Sequence, residues 1–215
     1  MREGPLSLKS QAKAELRRRM RKARRALSVE DQLAASRMTC RLIARSPAFM
    51  SASNLAIYHP VRGELDVRPL QHLAWRSGKK VFLPVISEGR RPAMEFAQIQ
   101  PATPLIANCF GIAEPARARI GLIDVRSLDL VLTPLVAFDK YGHRVGMGAG
   151  YYDRCFRFLS RAGAWRKPKL LGIAYSFQEV ERLEPQPWDI SLWGVATEQA
   201  IRCPLRGRRP TEPRS

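Results

Sequence analysis

Residues 128–157 constrain the fold most, because a strongly apolar segment runs directly into a cluster of glycines and then into a helical pattern. Residues 128–138 are apolar except at Asp129, Thr133 and Pro134. A segment this apolar and this short predicts a β-strand that is buried on both faces. Because proline cannot donate a hydrogen bond to a neighbouring strand, we expect the strand to bulge or to stop pairing at Pro134.

The glycine cluster that follows favours a phosphate site. Glycine occupies alternate positions at Gly146, Gly148 and Gly150. The missing Cβ atoms allow several backbone N–H groups to approach one ligand, and a helix N-terminus behind the loop adds partial positive charge. A plain strand-to-helix turn remains the alternative, since the spacing differs from the GxGxxG pattern of dinucleotide-binding proteins.

Two charged residues flank the glycines and strengthen the phosphate interpretation. Arg144 precedes the cluster, and Asp153 follows it in the first turn of the expected helix. An arginine can bind phosphate oxygens, and an aspartate at this point can hold a divalent cation against the same phosphates. The stretch therefore predicts a nucleotide phosphate site with a metal ion.

Residues 134–154, PLVAFDKYGHRVGMGAGYYDR, resemble the signature of the 5-formyltetrahydrofolate cyclo-ligases, also called 5,10-methenyltetrahydrofolate synthetases. The signature contains Phe-Asp, a glycine three residues on, an Arg-Leu-Gly step, two further glycines and Tyr-Tyr-Asp. This chain departs from it by having Val145 for the leucine, Met147 where arginine is frequent, and Ala149 where glycine or lysine is frequent. The resemblance implies ATP- and Mg²⁺-dependent cyclisation of 5-formyltetrahydrofolate to 5,10-methenyltetrahydrofolate, with release of ADP and phosphate.

The resemblance also implies which residues bind ATP. The family has a Lys-x-x-x-Arg pair on its first helix that contacts ATP phosphates, and Lys13 and Arg17 match that pair. Helical periodicity predicts this helix over residues 9–27, where the same two side chains could equally form a solvated flank. The remaining ATP-binding residues that the resemblance implies are Arg144, Val145, Gly146, Met147, Gly148, Ala149, Gly150, Tyr151 and Tyr152.

The folate and metal sites follow from the resemblance in the same way. Glu64, in the segment RGELD, matches a glutamate that faces the folate, and His59 lies at the end of the preceding strand. The loop residues expected to face the folate as well are Met147, Gly148, Ala149, Gly150 and Tyr151. Asp153 and Asp189 are the implied Mg²⁺ ligands, although Trp188 stands where the family often has histidine. Without the resemblance, Glu64 is a helix-start residue and Asp189 a surface turn residue.

The rest of the chain alternates short apolar strands with helical segments, which predicts an α/β fold with a mostly parallel sheet covered by helices on both faces. The resemblance implies a three-layer, Rossmann-like fold of this kind. We expect one domain over residues 9–201, a flexible segment at 1–8, and a basic, disordered tail at 202–215. Residues 101–127 are interpreted as connecting loop, although Phe110–Pro115 resembles a Gly-Ile-x-Glu-Pro segment of the family. The strands are expected at Asn54–His59, Val81–Ile86, Met94–Ile99 at an edge, Leu170–Tyr175 and Gly194–Ile201.

The formal net charge of +18 raises the alternative of an RNA-associated protein. Residues 1–45 carry 13 Lys and Arg against four acidic residues, and residues 202–215 carry five against one. Since the basic residues are concentrated at the two ends, we expect only weak, nonspecific nucleic-acid association. A methyltransferase with an adenosyl cofactor is a second alternative. It requires an acidic residue after the next strand, and the segment LLGIAYSF offers none.

The cysteines and the hydropathy predict the compartment. The four cysteines are scattered and form no C-x-x-C pair, which is typical of reduced thiols in a cytoplasmic protein. No apolar stretch reaches the length of a membrane helix, and the N-terminal residues lack the apolar core of a signal peptide. We therefore expect a cytoplasmic monomer with no membrane partner, whose partners are 5-formyltetrahydrofolate and ATP.

Overall fold

A computed structural model describes residues 8–87, 93–116, 121–160 and 167–204. The helices are α1 Leu8–Arg25, α2 Val29–Ala44, α3 Pro47–Ser51, α4 Arg68–Arg76 and α5 Tyr151–Cys155. The strands are β1 Asn54–Ala56, β2 Lys80–Ile86, β3 Met94–Ile99, β4 Leu105–Ala107, β5 Ala113–Pro115, β6 Leu130–Pro134, β7 Ala137–Phe138, β8 Arg144–Val145, β9 Lys169–Ile173, β10 Gly194–Ala196 and β11 Ile201–Arg202. Short 3₁₀ turns lie at Val125–Ser127, Arg157–Ser160 and Ser176–Gln178.

Seven strands form the main sheet in the order β11-β10-β9-β6-β1-β2-β3. The five central strands pair in parallel, while β3 and β11 add antiparallel edges. The predicted mostly parallel sheet is confirmed, and so is the edge position of Met94–Ile99. In this arrangement the carboxyl ends of β1, β2 and β6 lie side by side at one end of the sheet, where open α/β folds bind ligands.

Both faces of the sheet are buried, as the apolar strand pattern predicts. Alternate residues of β1 point to opposite sides: Leu55 joins one apolar cluster and Ala56 the other. The first cluster includes Ile43 of α2 and Leu70 of α4, and the second includes Phe156, which follows α5. Helices thus cover both faces of the sheet, which gives the three layers expected from alternating strands and helices.

The apolar segment 128–138 is divided between two sheets. Strand β6 ends at Pro134, where we expected pairing to fail, and β7 then pairs with β8 in a separate antiparallel hairpin. This hairpin places the glycine loop beyond its second strand. The break has a local cause, because a proline has no N–H to continue the ladder.

Two predictions of secondary structure were wrong. Residues 101–127 were expected to be loop, yet β4 and β5 form an antiparallel hairpin there. All three residues of β4 are exposed, so this strand lacks the buried alternation by which strands are recognised. The expected strand Gly194–Ile201 consists of β10 and β11, joined by a turn in which the Thr197 N–H donates to the Ala200 carbonyl over 3.0 Å.

The expected flexible N-terminus and basic tail fall mostly outside the described residues. Leu8 is already part of α1, and Arg202 is the last residue of β11. Residues 1–7 and 205–215 are not among those described. Within the described part of the chain, no helix combines the length and the apolar character that crossing a membrane requires.

Candidate active site

A cavity of about 810 Å³ opens at the carboxyl ends of the parallel strands. Its walls include Tyr58 and His59 after β1, Ile86 at the end of β2, and Thr133 and Pro134 at the end of β6. The segments that follow these parallel strands, together with β8 and α1, form the walls of the cavity. The site is therefore positioned by the sheet itself.

Every residue that the sequence analysis assigned to a site lines this one cavity. The set comprises Lys13, Arg17, His59, Glu64, Arg144, Val145, Gly146, Met147, Gly148, Ala149, Gly150, Tyr151, Tyr152, Asp153 and Asp189. These residues come from α1, from the loop after β1, from the glycine loop with α5, and from the segment before β10. The structure brings them together, and the ligand that each one binds stays a prediction.

The glycine loop depends on backbone conformations that side chains disfavour. Gly148 has φ of 114° and Gly150 has φ of 66°, both in the region that L-residues rarely adopt. The loop is also tied to α1, because the Arg17 Nε–H donates to the Gly146 carbonyl over 2.9 Å. Helix α5 has only five residues, so its dipole would attract an anion less than that of a long helix. Most of the attraction would come from the loop amides and the nearby cations.

We predict that Gly148→Ala destabilises the protein by about 1–2 kcal/mol, because alanine would be held at a strained φ. Gly146→Ala is the matched control, since its φ is not positive and no atom lies within 4 Å of the added Cβ. Urea denaturation should show the loss for the first variant and a change within about 0.5 kcal/mol for the second. Equal stability of the two variants would contradict the strained loop.

Helix α1 presents a line of cations to the cavity at intervals of four residues: Lys13, Arg17 and Arg21. Arg21 was not anticipated, although the same helical spacing extends to it. Burial and the neighbouring Arg21 lower the pKa of Arg17, and the buried Arg21 Nε has no hydrogen-bond partner among the described residues. Lys13 lies 3.8 Å from Asp189 Oδ2, and neither Arg17 nor Arg21 has an ion-pair partner among the described residues. A wall with more cations than acids favours an anionic ligand.

Arg144 lies in a different environment from the one expected. Its side chain is 5% exposed, its Nη2 donates to Asp153 Oδ1 over 2.6 Å, and its Nη1 donates to the Ile190 carbonyl. Burial lowers the pKa of Arg144, opposed by the negative charges of Asp153 and Asp189. Arg144 therefore contacts both the carboxylate of Asp153 and the backbone carbonyl of Ile190.

Asp153 and Asp189 were predicted as metal ligands, and both line the cavity beside Arg144. Asp189 Oδ2 accepts from the Gln186 N–H over 2.8 Å and lies 3.8 Å from Lys13 Nζ. No group of three or more His, Cys, Asp or Glu among the described residues could hold a metal ion alone. Magnesium bound to a nucleotide takes one or two carboxylates and completes its shell with phosphates and water, and this pair of aspartates fits that pattern.

The loop after β1 contributes a buried acid, Glu64, to the cavity wall. The Glu64 side chain is 5% exposed, and its Oε2 accepts from the Val61 N–H over 3.2 Å. Burial raises the pKa of Glu64, while Arg24 beside it acts in the opposite sense. Burial also lowers the pKa of His59, and Arg68 adds to this effect.

Apolar and aromatic residues complete this part of the cavity, and sequence reasoning missed them. Phe110 lies at the turn of the β4–β5 hairpin and packs edge-on against Tyr151, with ring centroids 6.2 Å apart. Trp188 lines the rim and is 66% exposed. The segment Phe110–Pro115 had been noticed for its resemblance and interpreted as a turn. Glu114 Oε2 accepts from Asn108 Nδ2 over 3.1 Å and from the Ile86 N–H over 3.3 Å, which attaches the hairpin to β2.

Fold and site together define an α/β protein with one cavity lined by α1 cations, a glycine loop, acidic side chains and aromatic rings. Comparison with known proteins gives the family. Residues 9–198 match the family model described as "5-formyltetrahydrofolate cyclo-ligase family". The chain is 35% identical over 184 residues to the 5-formyltetrahydrofolate cyclo-ligase of Escherichia coli K12, covering 85% of this chain and 98% of that protein.

A second relative and a solved structure agree. The Haemophilus influenzae 5-formyltetrahydrofolate cyclo-ligase is 32% identical over 190 residues, covering 87% of this chain and 98% of that protein. The NMR structure of Aquifex aeolicus 5,10-methenyltetrahydrofolate synthetase has a TM-score of 0.76 and 33% identity, covering 93% of this chain and 96% of that chain. This chain belongs to the 5-formyltetrahydrofolate cyclo-ligase family. The predicted family is confirmed, and the methyltransferase and RNA-associated interpretations find no support in these similarities.

Proposed function

We propose that this protein closes 5-formyltetrahydrofolate to 5,10-methenyltetrahydrofolate, using ATP with Mg²⁺ and releasing ADP and phosphate. One observation carries the proposal: a single cavity joins a wall of cations and backbone amides to a wall with a buried carboxylate and aromatic rings. A nucleotide triphosphate suits the first wall and a folate ring system suits the second. The two ligands would meet at the glycine loop and Tyr151.

The chemistry needs little acid–base help from the protein. The formyl oxygen attacks the γ-phosphorus and the bond to ADP breaks; the nearby N10 then attacks the activated carbon, its proton is lost, and the carbon–oxygen bond breaks to release phosphate. Positioning and neutralisation of charge dominate such a phosphoryl transfer. In this proposal Lys13 and Arg17 neutralise the triphosphate, and the backbone N–H groups of residues 146–150 donate hydrogen bonds to its oxygens.

Asp153 and Asp189 would hold the Mg²⁺, which when bound screens the charge of the phosphates. Arg144 keeps Asp153 turned toward the cavity through the 2.6 Å contact between Nη2 and Oδ1. Lys13 Nζ lies 3.8 Å from Asp189 Oδ2, so this cation would contact the phosphates beside the carboxylate that would hold the metal. These side chains thus set the geometry of the phosphate end before the nucleotide arrives.

The folate would bind against the part of the cavity wall that contains Glu64 and the aromatic rings. A pterin ring presents adjacent N–H donors on one edge, and a carboxylate such as Glu64 can accept two of them. The rings of Phe110 and Tyr151 offer apolar surface to the aromatic portions of the substrate. His59 lines the same side. This arrangement would direct the formyl group toward the glycine loop.

Arg17→Met tests the phosphate wall. We expect the KM for ATP to rise at least about tenfold and the KM for 5-formyltetrahydrofolate to change little, since one charge-assisted contact to phosphate is lost. Arg18→Met, on the exposed side of the same helix, is the matched control because Arg18 does not line this cavity and pairs with Glu15. Steady-state kinetics with each substrate varied in turn would decide, and equal effects of the two variants would refute the assignment.

The proposed reaction is tested with purified protein, 5-formyltetrahydrofolate and Mg-ATP. We expect near-ultraviolet absorbance of 5,10-methenyltetrahydrofolate to grow, with one ADP formed per product molecule and no growth without ATP. Absence of product at high enzyme concentration, or product without ADP, would overturn the proposed reaction. The fold and the family would be unaffected by that result.

The proposal places the enzyme in the cytoplasm as a monomer. All four cysteines are free, which supports a reducing compartment. Monomeric state and weak, nonspecific nucleic-acid association stay predictions. Size-exclusion chromatography coupled to light scattering tests the first, and the salt dependence of RNA binding tests the second.

A further inference from the structure

Behind the wall that holds Glu64 lies an arginine that does not reach the cavity. Arg24, near the end of α1, is 1% exposed, and its Nη1 lies 3.7 Å from Glu64 Oε1. Arg24 is thus buried as deeply as the apolar core residues. The adjoining loop packs onto it closely: a Cβ placed on Gly63 would lie 3.5 Å from the Arg24 carbonyl oxygen.

Stability alone gives no reason for a charge at this place. Arg24 Nε and Nη2 are buried and have no hydrogen-bond partner among the described residues, and the nearby Tyr175 hydroxyl is in the same condition. Unsatisfied buried donors cost free energy, and a buried ion pair is often replaced by apolar residues without loss of stability. The pair therefore calls for a role outside the packing of the core.

We propose that Arg24 is a positioning residue that holds the Glu64 carboxylate ionised and aimed into the cavity, ready to accept N–H donors of the folate ring. The inference rests on the proposed function, because it concerns how the folate wall is prepared. Arg24 touches no ligand; it acts through Glu64. It also links the two ends of the site, since the same helix carries Lys13 and Arg17 at the phosphate wall.

The charges around Glu64 make Arg24 the main counterion. The groups that act on Glu64 or are acted on by it are Arg24 of α1, Arg62 of its own loop, and the tyrosines Tyr58, Tyr152 and Tyr175. Burial raises the pKa of Glu64, and Arg24 opposes this more than any other group does. Without Arg24, burial would favour the protonated carboxyl, which presents one acceptor oxygen fewer to a donor pair.

The test compares four variants by equilibrium titration with 5-formyltetrahydrofolate and, separately, with ATP. Arg24→Met should weaken folate binding at least about tenfold and leave ATP binding unchanged. Arg24→Lys keeps the charge and should recover part of the loss. Once Glu64→Gln has removed the carboxylate, adding Arg24→Met should weaken folate binding little further, because the two residues act as a unit.

The pH dependence separates positioning from a merely structural role. The carboxylate must be ionised to accept both donors, so folate binding weakens as the pH falls through the pKa of Glu64. Arg24→Met moves that fall to higher pH, and its deficit relative to wild type should therefore grow as the pH is lowered from alkaline conditions, where the carboxyl is ionised in both proteins. A purely structural defect would weaken the binding of both ligands at every pH.

Each outcome has a definite meaning. Wild-type folate affinity in Arg24→Met, or equal losses for folate and ATP, overturns this inference and leaves the proposed function standing. A wild-type protein that does not bind 5-formyltetrahydrofolate overturns both. Should Arg24→Met fail to fold, as judged by thermal unfolding, Arg24→Lys and the double variant decide: the inference requires a few-fold folate-specific loss in the first and an affinity equal to that of Glu64→Gln in the second.

Discussion

Asp153→Asn is expected to abolish nearly all formation of methenyltetrahydrofolate, with kcat falling by about 10²–10³. The change removes one negative charge from the phosphate end and alters little of the shape. The remaining carbonyl oxygen can still accept from Arg144, whose Nη2 lies 2.6 Å from Asp153 Oδ1 in the native protein. The loss would therefore report the missing charge at the metal position, with the fold intact. The absorbance assay measures it, and thermal unfolding checks the fold.

Asp124→Asn provides the matched control for this substitution. Asp124 is an exposed carboxylate outside the cavity, and its Oδ1 accepts from the Arg126 N–H over 2.9 Å. It should keep wild-type kcat. Full activity in Asp153→Asn would remove the metal role from that residue and would not affect membership of the family. Raising the Mg²⁺ concentration should restore part of the activity of the Asp153 variant, as expected for a weakened metal site.

Asp139→Ala is expected to lower the free energy of unfolding by about 3 kcal/mol or more, since one buried and several part-buried donors lose their acceptor together. Asp139 is 2% exposed and lies between β7 and β8. Its Oδ1 accepts from the Tyr141 and His143 N–H groups, each over 3.0 Å, and its Oδ2 accepts from the Leu183 N–H over 2.9 Å. His143 Nδ1 lies 2.9 Å from the same Oδ2.

Urea denaturation measures the effect, with Asp124→Ala as the comparison. Asp124 also accepts a backbone N–H, at an exposed 3₁₀ turn, so its loss should be about 1 kcal/mol. Because the Asp139 hairpin carries the glycine loop, activity should fall together with stability. A loss below about 1 kcal/mol in Asp139→Ala would show that the hairpin does not depend on this carboxylate.

The parallel sheet could be predicted because its strands can be recognised from their own apolar sequences. Segments such as residues 128–138 are apolar at most positions that a doubly covered strand buries, and the proline within that segment marks where β6 ends. The β4–β5 hairpin gave no such signal. The short, exposed first strand is held in place by contacts between residues that are distant in sequence, such as that of Glu114 with the Ile86 N–H.

The sequence predicted which residues form the candidate site better than it predicted how they are arranged. Lys13, Glu64 and Asp189 were assigned through resemblance alone, and all three line the cavity. Their spacing in sequence could not show this, because the sheet brings together residues more than a hundred positions apart. The pairing of Arg144 with Asp153 and the burial of Arg24 against Glu64 were also missed. A charged residue is most often solvated, whether it lies on a helix as Arg24 does or on a strand as Arg144 does, so only packing in three dimensions distinguishes these two arginines.

The location of the nucleotide tests the account most directly. A crystal structure with an ATP analogue and Mg²⁺ should show the terminal phosphates against the backbone amides of residues 146–150, within reach of Lys13 and Arg17, and the metal between those phosphates and Asp153. A nucleotide bound elsewhere, with the glycine loop still empty, would contradict the account.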